Sequence, residues 1–151
     1  MAEGNENHQY EYDFCIFYQE DERQDSSVAI NILDYLEQNG DRQLKGYIED
    51  RDAILGRTHI NNMDNIITNS RFVIVILSEE ALQRNWFKFK LHASLKHRLD
   101  SDLRNTVIPI YTGHVHTVPP SLALINGVDY DADRQSRFWR KLQQLFFHST
   151  E

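Results

Sequence analysis

The 151-residue chain has one cysteine and no long apolar run, and each shortage excludes a class of protein. Cys15 lies inside the apolar run FCIF at residues 14–17, so no disulfide can form within the chain and a reducing compartment is expected. We interpret Cys15 as a buried strand thiol rather than a nucleophile, because no histidine is close in sequence to activate it. No segment approaches the roughly 18 apolar residues of a membrane helix, and the N-terminus is acidic rather than a basic leader. We therefore predict a cytoplasmic protein.

Basic residues are also scarce. Lys and Arg number 16 against 23 of Asp and Glu, which gives a formal net charge of -7. This balance disfavours a general nucleic-acid binder and favours solubility. Positive and negative charges are unevenly distributed along the chain. Residues 1–25 carry eight acids against one base, and residues 84–104 carry six bases against two acids. The basic segment, which includes Lys88 and Lys90, is either an interaction surface or an ordinary solvated helix face.

Apolar runs bounded by turn signals alternate with helical patterns along the chain. Residues 1–9 are predicted to be a flexible tail, residues 10–148 one domain, and residues 149–151 a second short tail. The strand-like runs cover residues 12–18, 44–48, 72–77, 106–111 and 125–130. The helical patterns cover 27–38, 58–69, 80–99 and 135–147, whereas residues 113–124 contain two prolines and are expected to form a loop with at most a short helix. Strands that alternate with helices imply parallel pairing, and hence a three-layer α/β sandwich.

A doubly wound sheet of this kind binds ligands beyond the carboxyl ends of its strands. The third strand ends in Ser78 and continues as Glu79-Glu80, so the aspartate that a phosphoacceptor receiver needs there is missing. The loop after the first strand, residues 19–22, carries three acids that would repel the phosphate bound by a flavodoxin. Two familiar functions of this architecture are therefore disfavoured.

Four short motifs occur in order along these predicted elements. They are YDFCIFY at residues 12–18, RDAILG at residues 51–56, LSEEALQRNW at residues 77–86 and FW at Phe138-Trp139. They resemble box 1, box 2, the segment after the third strand and box 3 of the Toll/interleukin-1 receptor (TIR) domain. The likeness is strongest to animal Toll-like receptor and myeloid-differentiation adaptor TIR domains. It implies a flavodoxin-like sheet of order 2-1-3-4-5 and an adaptor role in innate immune signalling, through association with other TIR domains.

The resemblance places residues 50–57 in the loop after the second strand, called the BB loop, which is the family's main contact surface. A second interpretation of Arg51 and Asp52 is local, with the aspartate capping the next helix and the arginine pairing with a neighbour. Leu55 stands where the family has proline, which implies a more mobile loop with an apolar side chain at its tip. The expected partner-binding residues are Asp50, Arg51, Asp52, Ala53, Ile54, Leu55, Gly56 and Arg57.

Some TIR domains cleave NAD, and in those relatives the resemblance implies a catalytic glutamate four residues after a tryptophan. Here the tryptophan is Trp86 and the fourth residue after it is Lys90. Cleavage of the nicotinamide–ribose bond develops positive charge that calls for a carboxylate, so a lysine has the wrong sign. Glu79 and Glu80 are either substitutes for it or an acidic first turn that faces the helix dipole. The sequence thus favours a binding module without catalytic residues or cofactors over an NAD-cleaving enzyme.

Three further features have simple interpretations. His114 and His116 have no cysteine or third histidine near them, so a solvated loop is favoured over a metal site. Phe138 and Trp139 are expected in the core rather than on a binding surface, and Trp86 is expected to pack as well. The charge distribution predicts weak head-to-tail self-association, with the acidic early loops or the BB loop of one copy meeting the basic helix of the next.

Overall fold

The computed structural model contains one five-stranded parallel sheet. It describes residues 10–38, 40, 43–53, 55–56, 65–100, 103, 106–116, 118–123 and 125–147, so both predicted tails lie outside the described residues. The sheet order is β2-β1-β3-β4-β5, which confirms the order implied by the resemblance. The strands are β1 (Tyr12–Phe17), β2 (Gly46–Ile48), β3 (Ser70–Ser78), β4 (Val107–Thr112) and β5 (Val128–Asp129).

Helices connect the strands and cover both faces of the sheet. The prediction of one helix over residues 80–99 is wrong, because the chain is extended at Arg84 and forms two helices instead. The predicted helix over 58–69 lies mostly outside the described residues, and residues 65–68 are helical. Among the helices that the structure describes, none has the length and apolar character of a membrane span. The helices are α1 (Arg23–Gln38), α2 (Glu49–Asp52), α3 (Glu79–Leu82), α4 (Asn85–Leu99), α5 (Pro120–Ala123) and α6 (Arg137–Phe147).

The central strand β3 separates two hydrophobic clusters, because alternate side chains of a strand point to opposite faces. Ile74 and Ile76 belong to the cluster that contains the apolar sides of α1 and α6. Val75 and Leu77 belong to the other cluster, together with α3 and α4. All four side chains are fully buried, so β3 is covered on both faces, as the predicted three-layer sandwich requires.

Trp139 belongs to the first cluster and is 1% exposed. Its indole Nε1 donates a hydrogen bond to the carbonyl of Asp131 at 2.8 Å, and the guanidinium of Arg134 lies 4.3 Å from the ring centroid. Phe138 is buried beside it. The interpretation of these two aromatic residues as core is confirmed.

Cys15 is completely buried in β1. Burial raises the pKa of its thiol to about 11, against a smaller opposing effect of a hydrogen bond with Ser70. A thiol with so high a pKa is almost entirely protonated at neutral pH and is a poor nucleophile. The interpretation of Cys15 as a structural strand residue is therefore confirmed.

Arg98 on α4 is a buried cation that ties this helix to the start of β3. Its guanidinium donates hydrogen bonds to the main-chain carbonyls of Ile67 at 2.7 Å, Arg71 at 3.1 Å, and Ser70. It also donates to the hydroxyl of Thr106, just before β4, at 2.8 Å. One side chain thus satisfies carbonyl groups at the amino-terminal edge of the sheet that would otherwise lack donors.

Candidate interaction surface

The loop after β2 begins with the single helical turn α2, whose four residues include three acids. The carboxylate of Asp52 turns back toward β2, where its Oδ2 accepts a hydrogen bond from the main-chain N–H of Ile48 at 3.0 Å. Its Oδ1 accepts from Arg51 Nε at 2.7 Å. Asp52 therefore has a local role at the exit of the strand, which differs from the predicted cap of the next helix.

Arg51 joins the same turn to helix α1 and to the start of β2. Its two terminal nitrogens donate to the two carboxylate oxygens of Glu37 at 3.0 and 3.2 Å, and one of them also donates to the carbonyl of Gly46 at 3.0 Å. The carboxylate of Glu37 also accepts a hydrogen bond from the main-chain N–H of Gly46 at 3.0 Å. The hydrogen bonds to Glu37 and Asp52 raise the pKa of Arg51 above its usual value, against partial desolvation. Two of the expected contact residues thus form the hydrogen-bonded base of the loop.

The tip of the loop projects into solvent. Leu55 is 98% exposed, the highest value among the exposed large hydrophobic side chains of the described residues. Gly56 follows with a φ of +91°, a left-handed conformation that glycine adopts without the strain of a side chain, and an added Cβ would meet no atom within 4 Å. Asp50 and Ala53 are also exposed, whereas Ile54 and Arg57 lie outside the described residues. Among the described residues of this loop, the structure therefore presents one exposed large apolar side chain, next to an acidic turn whose base is hydrogen-bonded to α1 and β2.

Lys90 belongs to α4, and its side chain is buried near the carboxyl end of β1 rather than exposed on the surface. The residue is 7% exposed, and its Nζ is 5.8 Å from the ring centroid of Phe17. Burial lowers the pKa of the ammonium group, while Glu20 and Glu49 oppose this shift. The prediction of an exposed basic pair at Lys88 and Lys90 is corrected accordingly: Lys90 contributes no exposed charge, and Lys88 is the half-buried member.

Trp86 and Phe89 form an exposed aromatic pair on α4. Their rings stack with centroids 5.4 Å apart and an interplanar angle of 22°, and the residues are 52% and 54% exposed. The expectation that Trp86 packs in the core is wrong. The core-facing side of α4 instead carries Phe87, Leu91 and Leu95, which recur at helical spacing.

The sheet order agrees with the family that the motifs resemble. A family model described as TIR domain matches residues 9–119. The chain belongs to the TIR family. It is 30% identical over 98 residues to the TIR domain-containing adapter molecule 2 of Bos taurus, and 28% identical over 98 residues to that of Homo sapiens. Each alignment covers 64% of this TIR chain and 40% of the adaptor, so the chain matches less than half the length of these relatives.

Solved TIR structures agree over most of the chain. The TIR domain of the Toll-related receptor TRR-2 from Hydra magnipapillata is 28% identical with a TM-score of 0.67, over 89% of this chain and 98% of that one. A metazoan TIR-STING receptor from C. gigas, solved in complex with 2',3'-cGAMP, is 27% identical with a TM-score of 0.76. That alignment covers 93% of this chain and 40% of the receptor. The likeness supports the fold and the family placement together.

A buried acid in this TIR domain escaped the sequence analysis. Asp25 in the first turn of α1 is 1% exposed, and its Oδ2 accepts a hydrogen bond from the hydroxyl of Ser78 at 2.7 Å. Burial raises the pKa of Asp25 to about 6, the hydrogen bond from Ser78 opposes the rise, and Glu22 and Glu80 add to it. Helical periodicity in the sequence does indicate this burial, because Asp25 lies three residues before the buried Val28 and hence on the same face of α1.

Ser78 connects this acid to helix α3. Its hydroxyl donates to Asp25 and accepts from the main-chain N–H of Ala81 at 3.0 Å, so it also caps the helix. The next residue, Glu79, accepts from the N–H of His116 and from Gln83 Nε2, both at 2.8 Å. These contacts join the first turn of α3 to the loop after β4, and both interpretations of Glu79 stay predictions.

The imidazoles of His114 and His116 lie nearly parallel, with ring centroids 6.4 Å apart. Within the described ranges, no group of three histidine, cysteine or acidic residues is arranged to hold a metal ion. Both residues are exposed on the loop after β4.

Proposed function

We propose that this TIR domain is a cytoplasmic signalling or adaptor module that acts by associating with other TIR domains in innate immune signal transduction. Leu55 is the observation that carries the proposal, because it is almost fully exposed at the tip of a loop whose base is held by hydrogen bonds. A leucine side chain gains about 1.5–3 kcal/mol when another surface covers it. The family placement and the adaptor relatives support the class of partner.

The contacts of the loop divide its residues into two roles. Leu55, Asp50 and Ala53 are exposed and are proposed to touch the partner. Arg51 and Asp52 are proposed to act indirectly, because their hydrogen bonds to Glu37, Gly46 and Ile48 hold the loop base in place. Ile54 and Arg57 remain predictions from the sequence. A pre-ordered loop loses less conformational entropy on binding than a flexible one, which favours association.

A binding titration against the adaptor and receptor TIR domains described above tests this proposal. We expect Leu55→Ser to weaken binding by about ten- to a hundredfold, the equivalent of one covered leucine. Ile30→Ser is the matched control, because Ile30 is an exposed aliphatic residue on α1, seven residues before Glu37, the residue of that helix that Arg51 contacts. Absence of binding to every TIR domain tried, or equal binding by the wild type and Leu55→Ser, contradicts the proposal.

The proposal also assigns no NAD-cleaving activity to this chain. Lys90 is buried where the resemblance expects the catalytic carboxylate, with its ammonium group near Phe17. A lysine repels the positive charge that develops on the ribose, whereas a carboxylate attracts it. This exchange lowers the rate of NAD cleavage by something like five orders of magnitude. We therefore expect no NAD turnover by the purified protein. Turnover that disappears in Glu79→Ala or Glu80→Ala would show that another carboxylate serves as the catalytic group.

A further inference from the structure

The outer face of helix α6 carries three cations within five residues, Arg137, Arg140 and Lys141. All three are exposed, and within the described part of the chain none of them forms an ion pair or a side-chain hydrogen bond. Three cations elsewhere each pair with a carboxylate: Arg51, Arg84 and Lys96. In a chain of net charge -7, a group of cations without partner carboxylates is unexpected, and the core packing of α6 does not use these side chains.

The position of these cations on the helix is unfavourable. Arg137 is the first residue of α6, whose first turn contains no acid, and the amino-terminal end of a helix is the positive end of its dipole. Arg140 and Lys141 follow Arg137 by three and four residues, so the three side chains are neighbours on the helix surface and repel one another. An anion bound between them would relieve both effects.

A surface recess of about 550 Å³, called here the α6 recess, lies against this face. Its volume is in the range of small-molecule sites. The amide of Gln143 is oriented by Tyr35, whose hydroxyl donates to Oε1 of Gln143 at 3.1 Å, so the amide nitrogen is left to donate to a ligand. No carboxylate is among the described residues that line the recess, which are Arg137, Arg140, Lys141, Gln143 and Gln144.

Acids in neighbouring segments limit the kind of anion that this recess can hold. A second recess of about 370 Å³ shares Arg137 and Lys141 with the first and is also lined by Asp129 and Asp131. These carboxylates weaken the attraction for a single negative charge, so a ligand needs several negative charges close together to be held. The exposed acids nearby in sequence or on the adjoining helix α1 are Asp34, Asp129, Asp131 and Asp133.

We propose that the α6 recess binds a small molecule that carries two or more clustered phosphate groups, either a soluble inositol polyphosphate or the headgroup of a phosphoinositide lipid. The planar guanidinium groups of Arg137 and Arg140 match phosphate oxygens in pairs, and Lys141 adds a third positive charge. This inference does not depend on the TIR–TIR association proposed above, because it uses a different element of the fold and a different class of ligand.

Thermal unfolding and calorimetry with myo-inositol hexakisphosphate test the recess at physiological ionic strength. We expect the melting temperature of the wild type to rise with the concentration of this probe, because a ligand of the folded state stabilises that state. Inorganic phosphate at the same concentration should have little effect. Arg140→Gln and Lys141→Gln should each weaken binding of the probe by about ten- to a hundredfold, the equivalent of one charged hydrogen-bonding group.

Arg23→Gln is the matched control, because Arg23 is an exposed arginine at the first residue of another helix, α1. It should bind the probe as the wild type does. Without ligand, Arg140→Gln and Lys141→Gln should unfold at the temperature of the wild type or above it, since each removes a repulsion between like charges. A lower melting temperature of both ligand-free variants would assign these side chains a structural role and contradict the inference.

Vesicles of phosphatidylcholine identify the source of the phosphate groups. One preparation contains phosphatidylinositol bisphosphate, and the other contains phosphatidylserine at the same total negative charge. Sedimentation with the first preparation alone supports a lipid headgroup, whereas binding of the free probe without sedimentation supports a soluble ligand. Equal sedimentation with both preparations, binding of the probe that survives in Arg140→Gln and Lys141→Gln, or absence of binding to the free probe and to the vesicles overturns the inference. An ordinary solvated helix face predicts the last of these results.

Discussion

The buried carboxyl of Asp25 predicts an unusual dependence of stability on pH. Its pKa is raised from 3.8 to about 6 in the folded protein, so the folded state binds its proton more tightly than the unfolded state does. The stabilising effect of that proton is fully present below the unfolded pKa and is lost as pH rises through about 6. A difference of about two pKa units corresponds to roughly 3 kcal/mol, because one unit is worth about 1.4 kcal/mol. At neutral pH the folded domain therefore carries the cost of a buried, ionised acid.

Asp25→Asn removes this cost while keeping an oxygen that can accept the hydrogen bond from Ser78. We expect the variant to gain stability relative to the wild type as pH rises, by about 2 kcal/mol between pH 4 and pH 7. The new amide hydrogens need partners, which shifts the free energy of the variant by a similar amount at every pH. Comparing the two pH values cancels that contribution, so the pH-dependent difference isolates the charge.

Urea unfolding followed by the fluorescence of the buried Trp139 measures this difference. Asp34→Asn is the matched control, because it removes the same charge from the exposed side of the same helix. Parallel stability curves for the wild type and Asp25→Asn across this pH range would refute the reasoning. So would a variant whose stability falls further below that of the wild type as pH rises.

Three other substitutions test the framework in thermal or urea unfolding. Arg98→Leu should lower the free energy of unfolding by about 3 kcal/mol or more, because it leaves several buried carbonyls without donors; a loss below about 1 kcal/mol would contradict the assigned role. Arg51→Ala should cost only about 1 kcal/mol, since its side chain is 45% exposed and solvent screens the ion pair; equal stability would show that the loop base does not depend on it. Gly46→Ala should destabilise strongly, because the new Cβ would lie 2.3 Å from Cζ of Phe14; a well-folded variant of unchanged melting temperature would exclude this close approach.

The sequence was sufficient to predict the sheet because its strands carry local and unambiguous patterns. Residues 72–77 are apolar without interruption, and such a run is typical of a parallel strand covered on both faces. The alternation of strands and helices predicts a parallel sheet, and the TIR motifs then imply the strand order, which is not encoded in any one segment. Burial of Phe138 and Trp139 followed from their size.

The side chains of α4 could not be placed without the position of the helix start. One continuous helix over residues 80–99 would turn a certain set of side chains toward the sheet. Because Arg84 is extended and the helix begins again at Asn85, a different set faces the sheet. With Phe87 in the core, Lys90 follows by three residues on the same side, and Trp86 turns outward. The break at Arg84, which the sequence did not predict, therefore decided which residues of α4 were surface and which were core.

Arg51 shows a different limit. The sequence allowed both a contact role and a local ion pair, and the choice depended on Glu37, which lies fourteen residues earlier on α1. No spacing rule connects residues so far apart on different elements, because their approach is set by the packing of α1 beside β2. Exposure of Leu55, by contrast, was foreseen from its place at the tip of a loop.

The two edge strands of the sheet are very short, with three residues in β2 and two in β5. Long, flat edges offer a row of main-chain donors and acceptors to another chain and lead to tight, slowly reversed strand addition. Edges as short as these give little support to such growth, so the TIR–TIR association proposed above would rest on side-chain contacts. Such contacts lack the row of main-chain hydrogen bonds that makes strand addition slow to reverse.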